Sequence, residues 1–252
     1  MVVMAGVFGS LFGSFLNVCV YRLPRDESVI APRSRCPGCG KPIAWYDNLP
    51  VVSWLVLRGR CRHCANRISV QYPLVELIVA AAWAGSVAWY GISFAALGAA
   101  LLLTLLAGIL LTDAQHMIIP DELSLGGLGA GLALALAPGG IAPLAAGLGA
   151  ALGFGLLWLA AAAGKWWAGR DAMGGGDLKM MAMVGSFLGW RGVLLTVFLG
   201  SLVGTMVFLP ALIRRERFRE VPFGVFLALG AAASLLAGDR IVAWYRGFLA
   251  GG

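Results

Sequence analysis

Apolar residues dominate this chain and occur in runs long enough to cross a lipid bilayer. Hydrophobic residues make up 60% of the 252 positions, and the mean hydropathy is +0.86. Runs of about 20 apolar residues are typical of transmembrane helices. The pattern predicts eight such spans, with approximate ends at 2–20, 73–90, 94–112, 122–138, 141–163, 178–190, 192–213 and 221–238. We therefore expect an all-α polytopic membrane protein with about eight transmembrane helices.

One long polar connection separates the first span from the others. This arrangement divides the chain into three predicted parts: a first transmembrane helix at 1–20, a small cytoplasmic loop domain at 21–72 and a transmembrane core at 73–252. The first span has neither a basic leading region nor a clear cleavage site. We therefore interpret it as a helix of the mature protein and not as a signal peptide.

The basic residues predict the orientation. In an eight-span arrangement, four connections share one side of the membrane: 21–72, 113–121, 164–177 and 214–220. These connections and their immediate flanks hold 16 of the 19 Lys and Arg residues. Basic loops stay in the cytoplasm, so both chain ends are predicted to lie outside it. The net charge of +7 is then mainly a signal of topology. We expect no nucleic-acid partner, because no basic aromatic module is visible.

Two acidic residues lie where apolar spans reach the cytoplasmic side. Asp113 ends the third span, and Asp177 follows the glycines at 174–176 and begins the sixth. A carboxylate at the edge of a membrane span is costly and indicates a function. A pair at one depth suits aspartyl proteolysis, in which one carboxylate activates a water while the other, protonated, donates to the scissile carbonyl. We expect the two side chains to approach within the reach of one water.

Simpler interpretations of these acids remain open. Asp177 is also suited to capping its helix, with the glycines as a loop, and Asp113 to meeting solvent at the interface. Asp121 follows Pro120 and is interpreted as a first-turn acid. Asp171 is the alternative to Asp177, but it lacks the run of glycines that leads up to Asp177.

The polar connection contains four cysteines in two CxxC pairs, Cys36 with Cys39 and Cys61 with Cys64, with 21 residues between the pairs. Four thiolates at this spacing complete a closed structural zinc site. A reducing cytoplasm argues against disulfides, which leaves redox thiols and plain buried cysteines as alternatives. His63 is interpreted as a surface residue beside the site, and Cys19 as a packing residue of the first span.

Together these segments resemble the bacterial type IV prepilin peptidases, members of the GxGD class of intramembrane aspartyl proteases. The matching pieces run in order along nearly the whole chain: 13–18, 22–24, the cysteine loop with 45–48 and 53–55, 68–69, 72–76, both aspartate motifs, 222–224 and 227–230. One departure is that the family often has Glu shortly before the glycines, where this chain has Asp171.

The resemblance implies an activity that spacing alone does not show. Such enzymes cut the basic leader from type IV prepilins and pseudopilins after a glycine, at the cytoplasmic face of the bacterial inner membrane, with Asp113 and Asp177 as the implied catalytic pair. The four-cysteine form implies a second activity, N-methylation of the new terminal residue with S-adenosylmethionine. The expected partners are the prepilin and membrane lipid. The pilus or secretion system served, the oligomeric state and the residues that bind S-adenosylmethionine are not identified by the sequence.

Several alternatives stay open beside this interpretation. The chain could be a peptidase without methyltransferase activity, a transporter, or a non-catalytic scaffold of a pilus or secretion system. A transporter is disfavoured because no convincing internal repeat is visible. Within the bifunctional interpretation, we expect methyl transfer to depend on the cysteine loop and its junction near Asn17 and Arg22. Three acids are left open as contacts for the basic leader: Glu76, Asp121 and Glu122.

Overall fold

The structure, a computed structural model, describes residues 1–169, 173–213 and 222–250. Within these ranges it contains helices and loops, with two isolated β-bridges and no strand. The α-helices are α1 (Val2–Arg22), α2 (Val52–Val56), α3 (Gln71–Tyr90), α4 (Phe94–His116), α5 (Asp121–Ala135), α6 (Pro143–Ala168), α7 (Gly175–Ile213) and α8 (Phe223–Ala250). The all-α prediction is confirmed.

Six helices of the described chain are long and apolar enough to cross a membrane: α1, α3, α4, α6, α7 and α8. The prediction of a polytopic membrane protein is therefore confirmed. The count of eight spans stays a prediction. The predicted fourth span corresponds to α5, which has 15 residues, and the predicted sixth and seventh spans both fall within α7, which has 39.

The long helix α7 is interrupted at Gly189, where φ is 66° and ψ is −175°. This backbone conformation is essentially restricted to glycine. A Cβ built on Gly192 would lie 2.2 Å from the Cβ of Leu188. Cβ atoms four residues apart on a continuous helix are separated by about 5–6 Å. The chain therefore makes a tight turn here, and we call the segments 175–188 and 190–213 α7a and α7b.

The chain forms two compact units, Met1–Gly108 and Ile109–Gly252. In the first unit, α1 lies antiparallel to α3. A Cβ on Gly9 would touch Val79 and Trp83, and one on Gly13 would lie 2.7 Å from the Cα of Glu76. Trp83 stacks on Phe12 at 4.6 Å and donates from its indole nitrogen to the Thr104 hydroxyl at 3.0 Å.

In the second unit, α7a is the most buried segment. Met180, Met181 and Met183 are fully enclosed there. The close approach of α6 depends on glycine: a Cβ on Gly153 would lie 2.1 Å from the carbonyl oxygen of Met181, and one on Gly149 would lie 2.3 Å from that of Gly185. Small residues that let helix backbones approach are typical of helix packing in membranes.

Candidate active site and metal centre

Asp113 lies in the last turn of α4 and is only 6% exposed. Its Oδ2 accepts a hydrogen bond from the backbone N–H of Val225 at 3.0 Å, and the N–H of Gly224 also hydrogen-bonds this carboxyl group. Both donors belong to the first turn of α8, where backbone N–H groups have no partner within the helix. The start of α8 therefore fixes the Asp113 carboxyl group, which is enclosed by protein.

Asp177 lies in the first turn of α7a and is 8% exposed. The backbone N–H of Gly174 hydrogen-bonds its carboxyl group. A Cβ added to Gly174 would lie 3.8 Å from Oδ2 of Asp177, and one on Gly176 would lie 2.9 Å from the Cβ of Ile119. The glycines before Asp177 therefore let the backbone fold closely around the carboxyl group and against Ile119.

The structure brings the two predicted acids together within the second unit. Asp113 and Asp177 are close enough to interact electrostatically. Ile119 lies beside the pair, because a Cβ on Gly176, next to Asp177, would be 2.9 Å from it and a Cβ on Gly224, next to Asp113, would be 2.8 Å from it. The arrangement is two enclosed carboxyl groups at the ends of two helices, held by backbone N–H donors. Like charges this close cannot both ionise cheaply, so the pair is suited to sharing one proton.

An ion pair lies next to this site. Lys179, two residues after Asp177, donates to both carboxylate oxygens of Asp121 at 2.7 and 2.8 Å. Asp121 is in the first turn of α5, as predicted, and the ion pair joins the starts of α5 and α7a. Asp171, the sequence-based alternative to Asp177, lies outside the described residues.

Sequence reasoning missed the positioning roles of Ile119 and of the α8 start. The segment 222–224 carried part of the family resemblance, but no role followed from it. Nothing in the local pattern indicates that Gly224 and Val225 meet an aspartate 112 residues earlier in the chain.

The four predicted cysteines form one cluster in the first unit. The Sγ atoms of Cys36, Cys39, Cys61 and Cys64 all lie within 4.8 Å of one another, and all four thiols are free. The Sγ atoms of Cys36 and Cys64 are 3.7 Å apart. A tetrahedral zinc with Zn–S bonds of about 2.3 Å separates its sulfur ligands by roughly 3.8 Å. The cluster therefore fits a four-thiolate metal site.

The two CxxC segments fold as matching knuckles. Each is closed by an isolated antiparallel bridge, Arg35 with Pro42 and Arg60 with Arg67. The residue after the second cysteine has positive φ in both, 70° at Gly40 and 56° at Ala65. In the second knuckle, the N–H groups of His63 and Cys64 hydrogen-bond the Cys61 thiol and lower its pKa to about 6. This favours the thiolate, which is the form that ligates a metal.

The second knuckle also holds the loop segment between the two pairs. Arg62 binds Asp47 through two bonds, Nε to Oδ2 at 2.8 Å and Nη2 to Oδ1 at 2.6 Å. The Arg62 guanidinium holds the pKa of Asp47 below its ordinary value. The same guanidinium lies 5.6 Å from the ring centre of Tyr46. The short 3₁₀ helix Trp45–Asn48 is thereby tied to the metal-binding knuckle.

Comparison with known sequences defines the class of protein to which the chain belongs. Residues 7–90 match the Bacterial Peptidase A24 N-terminal domain, and residues 100–209 match the Type IV leader peptidase family. The chain belongs to the type IV leader peptidase family, and the resemblance seen in the sequence is confirmed. The cysteine cluster lies in the first matched region and both aspartates lie in the second.

Individual relatives cover nearly the whole chain, and those described here are all called prepilin leader peptidase/N-methyltransferase. The protein of Aeromonas hydrophila is 36% identical over 95% of this chain and 91% of its own length. That of Neisseria gonorrhoeae is 36% identical over 96% and 93%. That of Myxococcus xanthus strain DK1622 is 40% identical over 86% and 67%. No solved structure matches the chain significantly.

Proposed function

We propose that this protein cleaves the leader peptide of type IV prepilins and pseudopilins and then N-methylates the new terminal residue. The observation that carries the peptidase is the enclosed pair Asp113 and Asp177, in a chain of the type IV leader peptidase family. The methyltransferase activity rests on relatives that carry both activities in their names and match this chain through the cysteine loop.

In the proposed proteolytic step, the pair holds one proton between its two carboxyl groups. The ionised aspartate takes a proton from a water molecule, and the water oxygen attacks the carbonyl carbon of the scissile bond. The protonated aspartate donates to the carbonyl oxygen, so that no full negative charge develops there. Asp113 is held by the N–H groups of Gly224 and Val225, which favour its charged form and make it the better candidate for the ionised partner.

The glycines before Asp177 give this site room for a peptide. A substrate in extended conformation needs its backbone close to both carboxyl groups, and Cβ atoms at 174–176 would obstruct that approach. A pilin is suited to such a site, because its apolar helix remains in the membrane while the leader extends into the cytoplasm.

We propose that Cys36, Cys39, Cys61 and Cys64 hold one zinc ion with a structural role. Four thiolates leave no open coordination position, so the ion organises the loop and supplies no Lewis acid. The loop at 21–72 has few buried apolar side chains of its own, and metal binding stabilises such small folds.

We propose that the protein lies in the bacterial inner membrane with eight spans and both ends outside the cytoplasm. The neighbours of α7 support this count. A Cβ on Gly200 in α7b would meet Phe226, near the α8 start that binds Asp113, whereas Gly192 meets Ser234 deeper in α8. Segment α7b thus returns toward the end where α7a begins, and each half of α7 counts as one span.

The direct test of both activities is incubation of the purified protein with a prepilin, with and without S-adenosylmethionine, followed by mass measurement of the product N-terminus. We expect loss of the leader in both samples and one added methyl group only with the donor. Cleavage without methylation would show that the protein is a peptidase without methyltransferase activity. An unchanged prepilin would favour a non-catalytic scaffold.

A paired cysteine variant tests how the activities divide. We expect Cys61→Ser with Cys64→Ser to lose zinc and to reduce methylation more than cleavage, because the cysteines belong to the first unit and both aspartates belong to the second. Asp177→Asn should still methylate a pilin that is supplied already cleaved. Equal loss of both activities in the cysteine variant would show that the loop supports the whole fold. Wild-type protein with reduced thiols and no zinc by elemental analysis would contradict the metal assignment.

A further inference from the structure

Two polar side chains that neither the dyad nor the cysteine cluster uses are buried between α1 and α3. Asn17 is 4% exposed and Glu76 is 6% exposed. Both helices are otherwise strongly apolar, and a buried amide or carboxylate in such a setting indicates a function. The two residues lie within one helical turn of each other along the α1–α3 contact. Asn17 hydrogen-bonds the backbone of Tyr72, which lies one turn before Glu76 on α3. Gly13, which lies one turn before Asn17 on α1, faces Glu76.

The orientation of the Asn17 amide is determined by its partners. Its nitrogen donates to the backbone oxygen of Gly13 at 3.3 Å and to that of Tyr72 at 3.1 Å. Because both partners are acceptors, the nitrogen must face them and the oxygen must face away. The Asn17 Oδ1 atom is buried and has no hydrogen-bond partner among the described residues. A buried hydrogen-bond acceptor without a donor is rare in folded proteins, so this oxygen is expected to accept a hydrogen bond from a bound molecule.

Glu76 presents further acceptors at the same level of the helix pair. Its Oε2 accepts the backbone N–H of Val51 at 2.7 Å, and the Ser14 side chain also bonds to its carboxyl group. Both partners are neutral, so the described contacts supply no positive charge to this carboxylate. An enclosed carboxylate is normally paired with a cation. Asn17 and Glu76 together therefore lack a group that carries N–H donors and positive charge.

The residue that covers Glu76 is held in an unfavourable conformation. Val51 has φ of 62°, a region that β-branched residues rarely adopt. Its N–H bond to Glu76 stabilises that conformation. A ligand that replaces this N–H on the carboxylate would release Val51 to a more favourable geometry.

We propose that Asn17 and Glu76 bind the new α-amine of the cleaved pilin as the methyl acceptor, which rests on the proposed methyltransferase activity. Asn17 lies five residues before the end of α1, and Glu76 lies five residues after the start of α3. At 1.5 Å per residue, both lie roughly 8 Å inside the helix ends and about 5 Å inside the cytoplasmic ends of the predicted spans 2–20 and 73–90. The N-terminus of a membrane-embedded pilin helix is a primary amine at this depth.

The chemistry of the site suits this acceptor. The ammonium form donates one N–H to Asn17 Oδ1 and another to Glu76, which takes its proton and leaves a neutral amine. The amine lone pair then attacks the methyl carbon of S-adenosylmethionine. The carbon–sulfur bond breaks toward sulfur and releases S-adenosylhomocysteine, and the product is a methylated ammonium ion.

The test uses Glu76→Gln in the full-length protein in membranes, with Glu27→Gln as the matched control at an exposed position of the same unit. The glutamine oxygen can still accept the Val51 N–H, but it cannot take a proton. We expect methylation of a pre-cleaved pilin to fall by about 10²-fold or more, as for loss of a general base. Zinc content and leader cleavage should stay near wild type in both variants. Unchanged methylation by Glu76→Gln would overturn the proposal.

A second measurement does not depend on the folding of a variant. A pre-cleaved pilin with an acetylated N-terminus lacks the ammonium group, so it should inhibit wild-type methylation at least about 10-fold more weakly than an already methylated pilin, which keeps its charge. Equal inhibition would exclude an amine site. Two results with Glu76→Gln would also contradict the proposal. A rise confined to the KM for S-adenosylmethionine would place the ammonium group of the methyl donor at this site instead. A rise confined to the KM for uncut prepilin would place the leader peptide there. If the wild-type protein cleaves prepilin but never methylates it, the methyltransferase activity on which this proposal rests would be absent.

Discussion

At the residue scale, the position of Asp113 depends on a glycine on another helix. A Cβ on Gly224 would lie 2.8 Å from the Asp113 Oδ2 atom and 2.8 Å from Ile119. Contacts this short require the carboxyl group or Ile119 to move, and small displacements at a catalytic site cost about 10²-fold in rate.

We therefore expect Gly224→Ala to reduce leader cleavage by about 10-fold to 10²-fold while the protein remains folded in the membrane. The measurement is initial cleavage rate at equal amounts of membrane-inserted protein. Gly126→Ala, on α5 where a Cβ meets nothing within 4 Å, is the control and should keep wild-type activity. Equal rates for both variants would show that the contact with Asp113 is not important.

The two knuckles provide a second matched pair of changes. Ala65 has φ of 56° and Gly40 has φ of 70° at the equivalent position. A non-glycine residue in this region costs about 1–2 kcal/mol. We expect Ala65→Gly to slow zinc loss to a chelator and Gly40→Ala, where a Cβ has open space, to accelerate it. Rates that change in the same direction would contradict this account of the knuckles.

At this scale, the sequence was sufficient to predict which side chains come together, namely the two aspartates and the four cysteines, whose catalytic and metal-binding roles stay predictions. Carboxylates at the ends of apolar spans and paired cysteines are unusual enough to be recognised without a structure. The partners of those residues were not predictable. The N–H of Val225, the side chain of Ile119 and the buried oxygen of Asn17 acquire their roles only when distant helices meet.

At the element scale, the contact of α6 with α7a depends on the absence of side chains along one face of α6. We expect Gly153→Ala to destabilise the second unit and reduce cleavage, because its Cβ would lie 2.1 Å from the Met181 carbonyl oxygen. Overpacking of this kind costs typically about 1–3 kcal/mol. Gly155→Ala, two residues along the same helix with nothing within 4 Å, should be neutral or slightly stabilising. The measurement is the thermal midpoint in detergent, and equal midpoints would contradict the packing argument.

The hydrophobic pattern predicted the long helices to within a few residues at most ends. It placed the break between the predicted sixth and seventh spans at residue 191, but it could not show that a single non-helical residue, Gly189, makes the turn. Arg191 is the one charged residue in 180–213 and marks the break in the sequence, whereas the conformation of Gly189 is visible only in the structure. The short 3₁₀ helix at Trp45–Asn48 was also missed, because the Arg62–Asp47 ion pair that holds it joins residues 15 positions apart.

At the scale of the whole molecule, the turn at Gly189 makes a prediction about membrane topology. Arg191 lies just after the turn and is exposed, and Lys165 lies near the opposite end of the neighbouring helix α6. If α7a and α7b each cross the membrane, a cysteine at Arg191 should react with an impermeant maleimide in intact spheroplasts. A cysteine at Lys165 should react only after permeabilisation. Reaction of Arg191→Cys only after permeabilisation would support a single crossing by α7.

The central claim is that Asp113 and Asp177 together cleave the prepilin leader, and the most direct measurement is the cleavage rate of single Asp→Asn variants in membranes. Asparagine keeps the shape of each side chain but cannot exchange the proton that the step requires. We predict that Asp113→Asn and Asp177→Asn each lower cleavage by at least about 10³-fold with normal membrane insertion. Asp121→Asn, whose carboxylate forms an exposed ion pair with Lys179, should stay within about 3-fold of wild type, because such pairs contribute little. Near-wild-type cleavage by either dyad variant would contradict the account.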